Sequence, residues 1–108
     1  IQHALQAGCE SLVSDLARAR VAALAGNLPV KIVVRQDATA YSVLEPGDVP
    51  CWRELPKGVR FEAFPRTEVA FYSRGSATPA GTYQLGNTGG RIHVIVAPSG
   101  RTRWERTR

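Results

Sequence analysis

Apolar residues recur with a helical period at the start of the chain. Leu5, Cys9, Leu12, Leu16, Ala19 and Ala23 follow one another at steps of 4, 3, 4, 3 and 4, which puts them on one face of a helix. The spacing predicts a helix over residues 1–26. Val13 and Leu24 widen the apolar stripe, while Glu10, Asp15, Arg18 and Arg20 lie off it. Gly26-Asn27 followed by Pro29 is a stop signal: the first two tolerate a left-handed cap, and proline cannot continue the helix. The beginning carries no such signal. No capping residue precedes Ile1 and the periodicity is already running there, so the helix reads as the end of a longer one.

Beyond Pro29 the period shortens to two. PVKIVVR (29–35) and TAYSVLE (39–45), joined by Gln36-Asp37-Ala38, predict a β-hairpin. EPGDVP is a turn-rich loop leading to Cys51-Trp52. Pro56-Lys57-Gly58 turns into a strand with Val59, Phe61 and Ala63 on one face, and TEVAFYS (67–73) is a further short strand. RGSATPAG reads as a loop. GTYQLG and RIHVIVA (91–97) flank the glycine-rich turn NTGG as a second hairpin, and Pro98-Ser99-Gly100 turns into a closing strand over RTRWER. The sum is an α+β chain. One long N-terminal helix, 1–26, lies on antiparallel sheet built from six or seven short strands over 29–105, within a single domain of 108 residues.

Composition narrows the class. With 44% hydrophobic and 21% charged residues the chain is globular, and no apolar run approaches the ~20 residues that span a bilayer. It contains no methionine, as expected of a fragment whose N-terminal part has been removed. Its net charge of +5 is unevenly placed: residues 1–54 carry five basic and six acidic groups, residues 55–108 nine basic and three acidic. Twelve of the fourteen basic residues are arginine, the side chain suited to bidentate phosphate or carboxylate contacts. Such a half either keeps the domain soluble or meets an anionic partner.

Little points to catalysis. His3 and His93 are the only histidines, and neither stands in a metal-binding spacing. No serine sits in a G-x-S-x-G elbow, and GNTGGR lacks the spacing and following helix of a phosphate loop. Nothing calls for a cofactor, and the expectation is a protein that is not an enzyme. The two cysteines, Cys9 and Cys51, either form one disulfide in an oxidising compartment or remain a core residue and a loop thiol in a reducing one.

Most aromatics fall on inward positions of the strands. Trp104 is set among arginines instead, either as a cap on the core or as a stacking platform for single strands. If 101–105 continue as a strand, Arg101 and Arg103 share one face and Thr102 and Trp104 the other. Arg101 and Arg103, beside an accessible Gly100 backbone, would then clamp neighbouring phosphates, Trp104 would anchor the strand, and Arg106 and Arg108 would add looser contacts.

Taken in order, SDLARARVAALAGNLPVKIVV, ELPKGVRF, VAFYSRGSATPAGTYQL and GRIHVIVAPSGRTRW resemble the GspH/FimT family of minor pilins and pseudopilins over nearly the whole chain. The resemblance implies a prepilin whose basic leader is cleaved and whose apolar half-helix, absent here, sits in the inner membrane. It places the globular part in the periplasm, where Cys9 and Cys51 can pair. Leu5, Leu12 and Leu16 would bundle with other pilins or pseudopilins of the same filament. Some FimT-like members bind DNA through a C-terminal Gly-Arg-x-Arg, which here falls on Gly100, Arg101, Thr102 and Arg103, followed by Arg106 and Arg108. GspH-like members serve the type II secretion pseudopilus. A free nucleic-acid-binding module with no filament role is the alternative from a different class.

Overall fold

The computed structural model describes residues 2–107. Helix α1 runs Gln2–Gly26 and stops where the sequence says it should. Asn27 turns to a φ of 55°, and its N–H donates to the Ala23 carbonyl at 3.1 Å, closing the last turn in a left-handed cap. The expectation that the helix is already running at Ile1 lies outside the described residues.

Nine strands follow among the described residues: β1 Val30–Val34, β2 Ala40–Leu44, β3 Arg53–Glu54, β4 Arg60–Ala63, β5 Ala70–Phe71, β6 Ala77–Thr78, β7 Gly81–Asn87, β8 Gly90–Val96 and β9 Thr102–Thr107. They form two antiparallel sheets, β3-β2-β1-β5-β6 and β4-β7-β8-β9. Both predicted hairpins form, with Val33 opposite Ser42 in the first and Gln84 opposite His93 in the second. The extra strands are β3 and β6, two residues each, too short to show alternation. The strand expected over 67–73 pairs only at Ala70–Phe71. In β4 the register shifts between Phe61 and Ala63. That bulge leaves Val59 and Phe61 buried but Ala63 exposed, against the single face expected for all three.

Helix α1 lies across both sheets, touching β1 and β5 of one and β7, β8 and β9 of the other. Leu5, Cys9, Leu12, Leu16, Ala19 and Ala23 all turn inward and are buried. They meet Ile32, Phe71, Leu85, Ile92, Val94 and Val96 in one core. Burying a leucine or isoleucine side chain contributes about 1.5–3 kcal/mol, so this seam alone outweighs any single polar contact in the fold. Aromatic rings close the gap between the sheets. Phe61 of β4 stands edge-on to Tyr41 of β2 at 6.2 Å and tilts against Tyr83 of β7 at 5.9 Å. Trp52, Phe64 and Tyr72, by contrast, are substantially exposed, so the inward reading of the aromatics holds for the strand interiors and fails in the loops.

Candidate interaction surfaces

The two faces of α1 divide the labour. Leu5, Leu12 and Leu16 are 0% exposed, packed on the chain's own sheets. That corrects the expectation that they bundle with other subunits: a residue fully covered within the domain has no surface left to offer. Leu24, expected on the inner stripe, is 45% exposed. The outer face carries a second seam. Ala7, Ser14 and Val21 stand seven apart, and Glu10, Ala17 and Leu24 follow each by three; all six are exposed, Val21 at 63%, so the seam is free of charge only from Ser14 onward. A heptad of small residues ending in Val and Leu suits close approach by another helix. Sequence reading missed it because the larger leucines of the inner seam dominate the periodicity.

A polar node sits between those faces. Asp15, read as off the stripe, is only 4% exposed. It lies one residue before Leu16 and four before Ala19, close enough to the seam to be drawn under. Its carboxylate accepts from the Tyr41 hydroxyl at 2.5 Å, from Arg53 at 2.8 Å and from Arg18 one turn on. Burial, and then the bond to Asp15, push the Tyr41 phenol well above the usual range. Asp15, Arg18, Ala22, Ser42, Cys51 and Arg53 line a groove of about 340 Å³ beside this node.

That groove also separates the cysteines. Both are free: Cys9 is buried in the seam and Cys51 is exposed, its N–H donating to Ser42 Oγ at 3.1 Å. Of the two states the sequence left open, free thiols are the one found here. Cys51 lines the groove with Asp15, Arg18, Ala19 and Ala22 of the helix, and Cys9 does not. Burial pushes the Cys9 thiol up to about 11, with Glu10 adding to the shift and Arg106 opposing it.

The C-terminal arginines do not converge. Gly100 is buried, with a φ of +89°, and a β-carbon there would stand 1.8 Å from the Gly75 carbonyl oxygen. It is glycine because two turns meet, rather than to leave its backbone open to a phosphate, which corrects the expected role. Arg20 of α1 fastens the junction, donating to the Gly75 carbonyl at 2.8 Å and to that of Ser99 at 3.5 Å. Arg101 precedes the strand and is exposed. In β9, Val94 faces Trp104 and Ile92 faces Arg106, and opposed residues share a sheet face. Trp104 and Arg106 therefore lie on the helix side, where Arg106 donates to Gln6 at 2.9 Å. Arg103 lies on the opposite face, 3.5 Å from Glu105. Trp104 does face the core side, yet remains 38% exposed. Arg108 lies outside the described residues.

His93 shares a hydrogen bond with Gln84 at 2.8 Å. Among the described residues no group of three or more metal-ligating side chains forms, and no helix is long and apolar enough to cross a membrane.

Comparison with known proteins agrees with this architecture. The minor pilin FimU of the Pseudomonas aeruginosa type IV pilus superposes with a TM-score of 0.77 at 20% identity, covering 96% of this chain and 90% of that one. The minor pseudopilin EpsH of the Vibrio cholerae type II secretion system gives 0.74 at 16% identity, covering 94% and 96%. At those identities the likeness is one of fold, an α+β pilin-like domain. No curated protein sequence matches the chain. Residues 9–100 match the model of a family described as type II transport protein GspH. The span takes in most of the inner helical seam, both sheets' hairpins and the Gly75–Gly100 junction, and on that match the chain belongs to the GspH family.

Proposed function

We propose that this chain is the globular domain of a minor pilin or pseudopilin, a structural rather than catalytic subunit of a type IV pilus or type II secretion filament. The domain stands in the periplasm, and a preceding apolar helical segment anchors the subunit in the inner membrane before assembly. Beside family membership, one observation carries the reading: the helix holds its own domain with one seam and leaves a second, small-residue seam uncovered. Insertion of the helix among other helices would cover that seam.

The test is in-cell crosslinking of the full-length protein. A photoreactive residue in place of Val21 should give adducts with other filament subunits, and one in place of the buried Val94 should give none. Adducts at neither position would sink the reading.

DNA binding through the C-terminal end is the second reading, favoured by the exposure of Arg101 and Arg103 in a strongly basic half. Arg106 is turned to Gln6, so Arg101 and Arg103 supply two phosphate contacts among the described residues, worth a log–log salt slope of about −1.8 on duplex. Fluorescence anisotropy across a salt series, beside Arg101→Gln/Arg103→Gln, decides it: binding that survives the double substitution rules the pair out.

A further inference from the structure

Strand β9 ends its sheet, and among the described residues no strand pairs with its outer edge. Open edges invite pairing with another chain, and folds usually blunt them. Among the described residues the two sheets have four edges, of which three are blunted: β3 and β6 are two residues long, and β4 is bulged. β9 is six residues, contains no proline or lysine, and is exposed at Arg103, Trp104, Glu105 and Arg106.

The register decides what can pair there. The Ala97 N–H donates to the Arg101 carbonyl at 2.9 Å, and hydrogen-bonded pairs alternate along an antiparallel ladder. Arg101, Arg103, Glu105 and Thr107 therefore spend their backbone groups on β8. Thr102, Trp104 and Arg106 present theirs outward. A second copy of β9 laid antiparallel must bring these even-numbered residues opposite one another. The permitted alignments are few, and charge separates them. Centring on residue 102 opposes Arg101 to Arg103, centring on 103 opposes Arg103 to Arg103, centring on 105 opposes Glu105 to Glu105, and centring on 106 opposes Arg106 to Arg106. Centring on Trp104 opposes Trp104 to Trp104, Thr102 to Arg106, and Arg103 to Glu105 twice over. Opposed like charges destabilise a strand pair and opposite charges stabilise it. The one alignment that avoids like-charge pairs also sets each Arg103, 3.5 Å from its own Glu105, opposite the Glu105 of the other copy.

We propose that β9 is a self-complementary edge through which two copies of this domain associate, about a two-fold axis at Trp104, into one sheet continuous across both. The interface is isologous, with about six backbone hydrogen bonds from Thr102, Trp104 and Arg106 of the two copies. Trp104 and its symmetry mate lie together on the helix side, which accounts for a half-exposed indole among arginines. The inference is independent of the filament reading.

Sedimentation equilibrium of the 108-residue chain, from micromolar to millimolar concentration, tests it. A monomer–dimer equilibrium is expected. Arg103→Glu and Glu105→Arg should each weaken it at least tenfold, and the two together should restore it, because the swap regenerates opposite charges at the interface. Trp104→Pro should abolish it while leaving the β8–β9 pairing intact, since that N–H faces outward and proline is tolerated at such edge positions. A chain that stays monomeric throughout overturns the proposal, whether the edge stays open or takes a strand from a different subunit. So does a dimer that ignores the charge reversals or fails to return in the double swap.

Discussion

Arg20 and Gly100 are joined through an atom belonging to neither. The Arg20 guanidinium donates to the Gly75 carbonyl oxygen at 2.8 Å, and a β-carbon on Gly100 would sit 1.8 Å from that same oxygen. The helix, the loop after β5 and the turn into β9 are thus locked at one point. The Ala77 N–H, donating to the Pro98 carbonyl at 3.0 Å, continues the seam between the two turns.

Gly100→Ala should therefore be among the most damaging small substitutions in the chain. The left-handed backbone alone costs an alanine about 1–2 kcal/mol, and the clash with backbone forces a shift beyond that. Arg20→Ala should cost about 1–3 kcal/mol by leaving the part-buried Gly75 carbonyl unmet. Urea unfolding of both single variants and the double should show less than additive losses, since both disturb the same junction. Additive losses would separate the two residues.

The Asp15 node predicts an asymmetry. Asp15→Ala removes the acceptor of the buried Tyr41 hydroxyl, which keeps only its bond with Ser11, and frees Arg18 and Arg53 from their partner, at a cost of about 3 kcal/mol. Tyr41→Phe removes one bond to a charged acceptor, at about 1.5 kcal/mol. The phenol supplies a second readout. Its pKa is raised in the folded state, so its contribution to stability is complete below the unfolded value near 10 and is lost as pH rises beyond it. Tyr83, pushed the same way by burial, behaves alike. Absorbance titration should show both phenols ionising only with unfolding; ionisation of either in the folded protein at its ordinary value contradicts the structure.

Thiol accessibility checks the cysteine assignment. Under native, non-reducing conditions a maleimide should label Cys51 and spare Cys9, whose thiol is buried and held protonated up to about 11. Denaturation should expose both. No labelling until a reductant is added would mean that the two are bridged after all.

At the tip of the first hairpin, Arg35 donates to Asp37 at 3.0 Å and to Glu54 at 2.8 Å. Arg35, with the Thr39 N–H and hydroxyl, holds the Asp37 carboxyl down to about 2. The contribution is present above the unfolded value near 3.8 and disappears as pH falls toward 2. Asp37→Asn should flatten that part of the acid-unfolding curve, being less stable than the parent near neutral pH and no different from it near pH 2. An unaltered acid limb would remove Asp37 from the account.

The helix, its end, both hairpins and the closing strand were legible because each repeats a period long enough to see. β3 and β6 were not, since a two-residue strand has no period. Asp15 was misplaced because a carboxylate beside a leucine seam reads as solvated until its partners, Tyr41 and Arg53, arrive from 26 and 38 positions away. Gly100 was legible as a turn, but its reason was not: that depends on Gly75, 25 residues earlier, arriving at contact distance. Leu5, Leu12 and Leu16 show the sharper limit. Periodicity identifies a face to be covered without saying whether the cover is the same chain or another.

The central claim is that the inner helical seam builds the domain while the outer seam joins it to other subunits. The most direct measurement pairs Val21→Asp with Leu12→Ala, reading thermal unfolding of this domain and filament assembly by the full-length protein. Val21→Asp should change stability by less than about 0.5 kcal/mol and block assembly. Leu12→Ala should cost about 2–5 kcal/mol as a core cavity. Normal assembly with aspartate at position 21, or a domain that loses its fold from that change alone, would contradict the division.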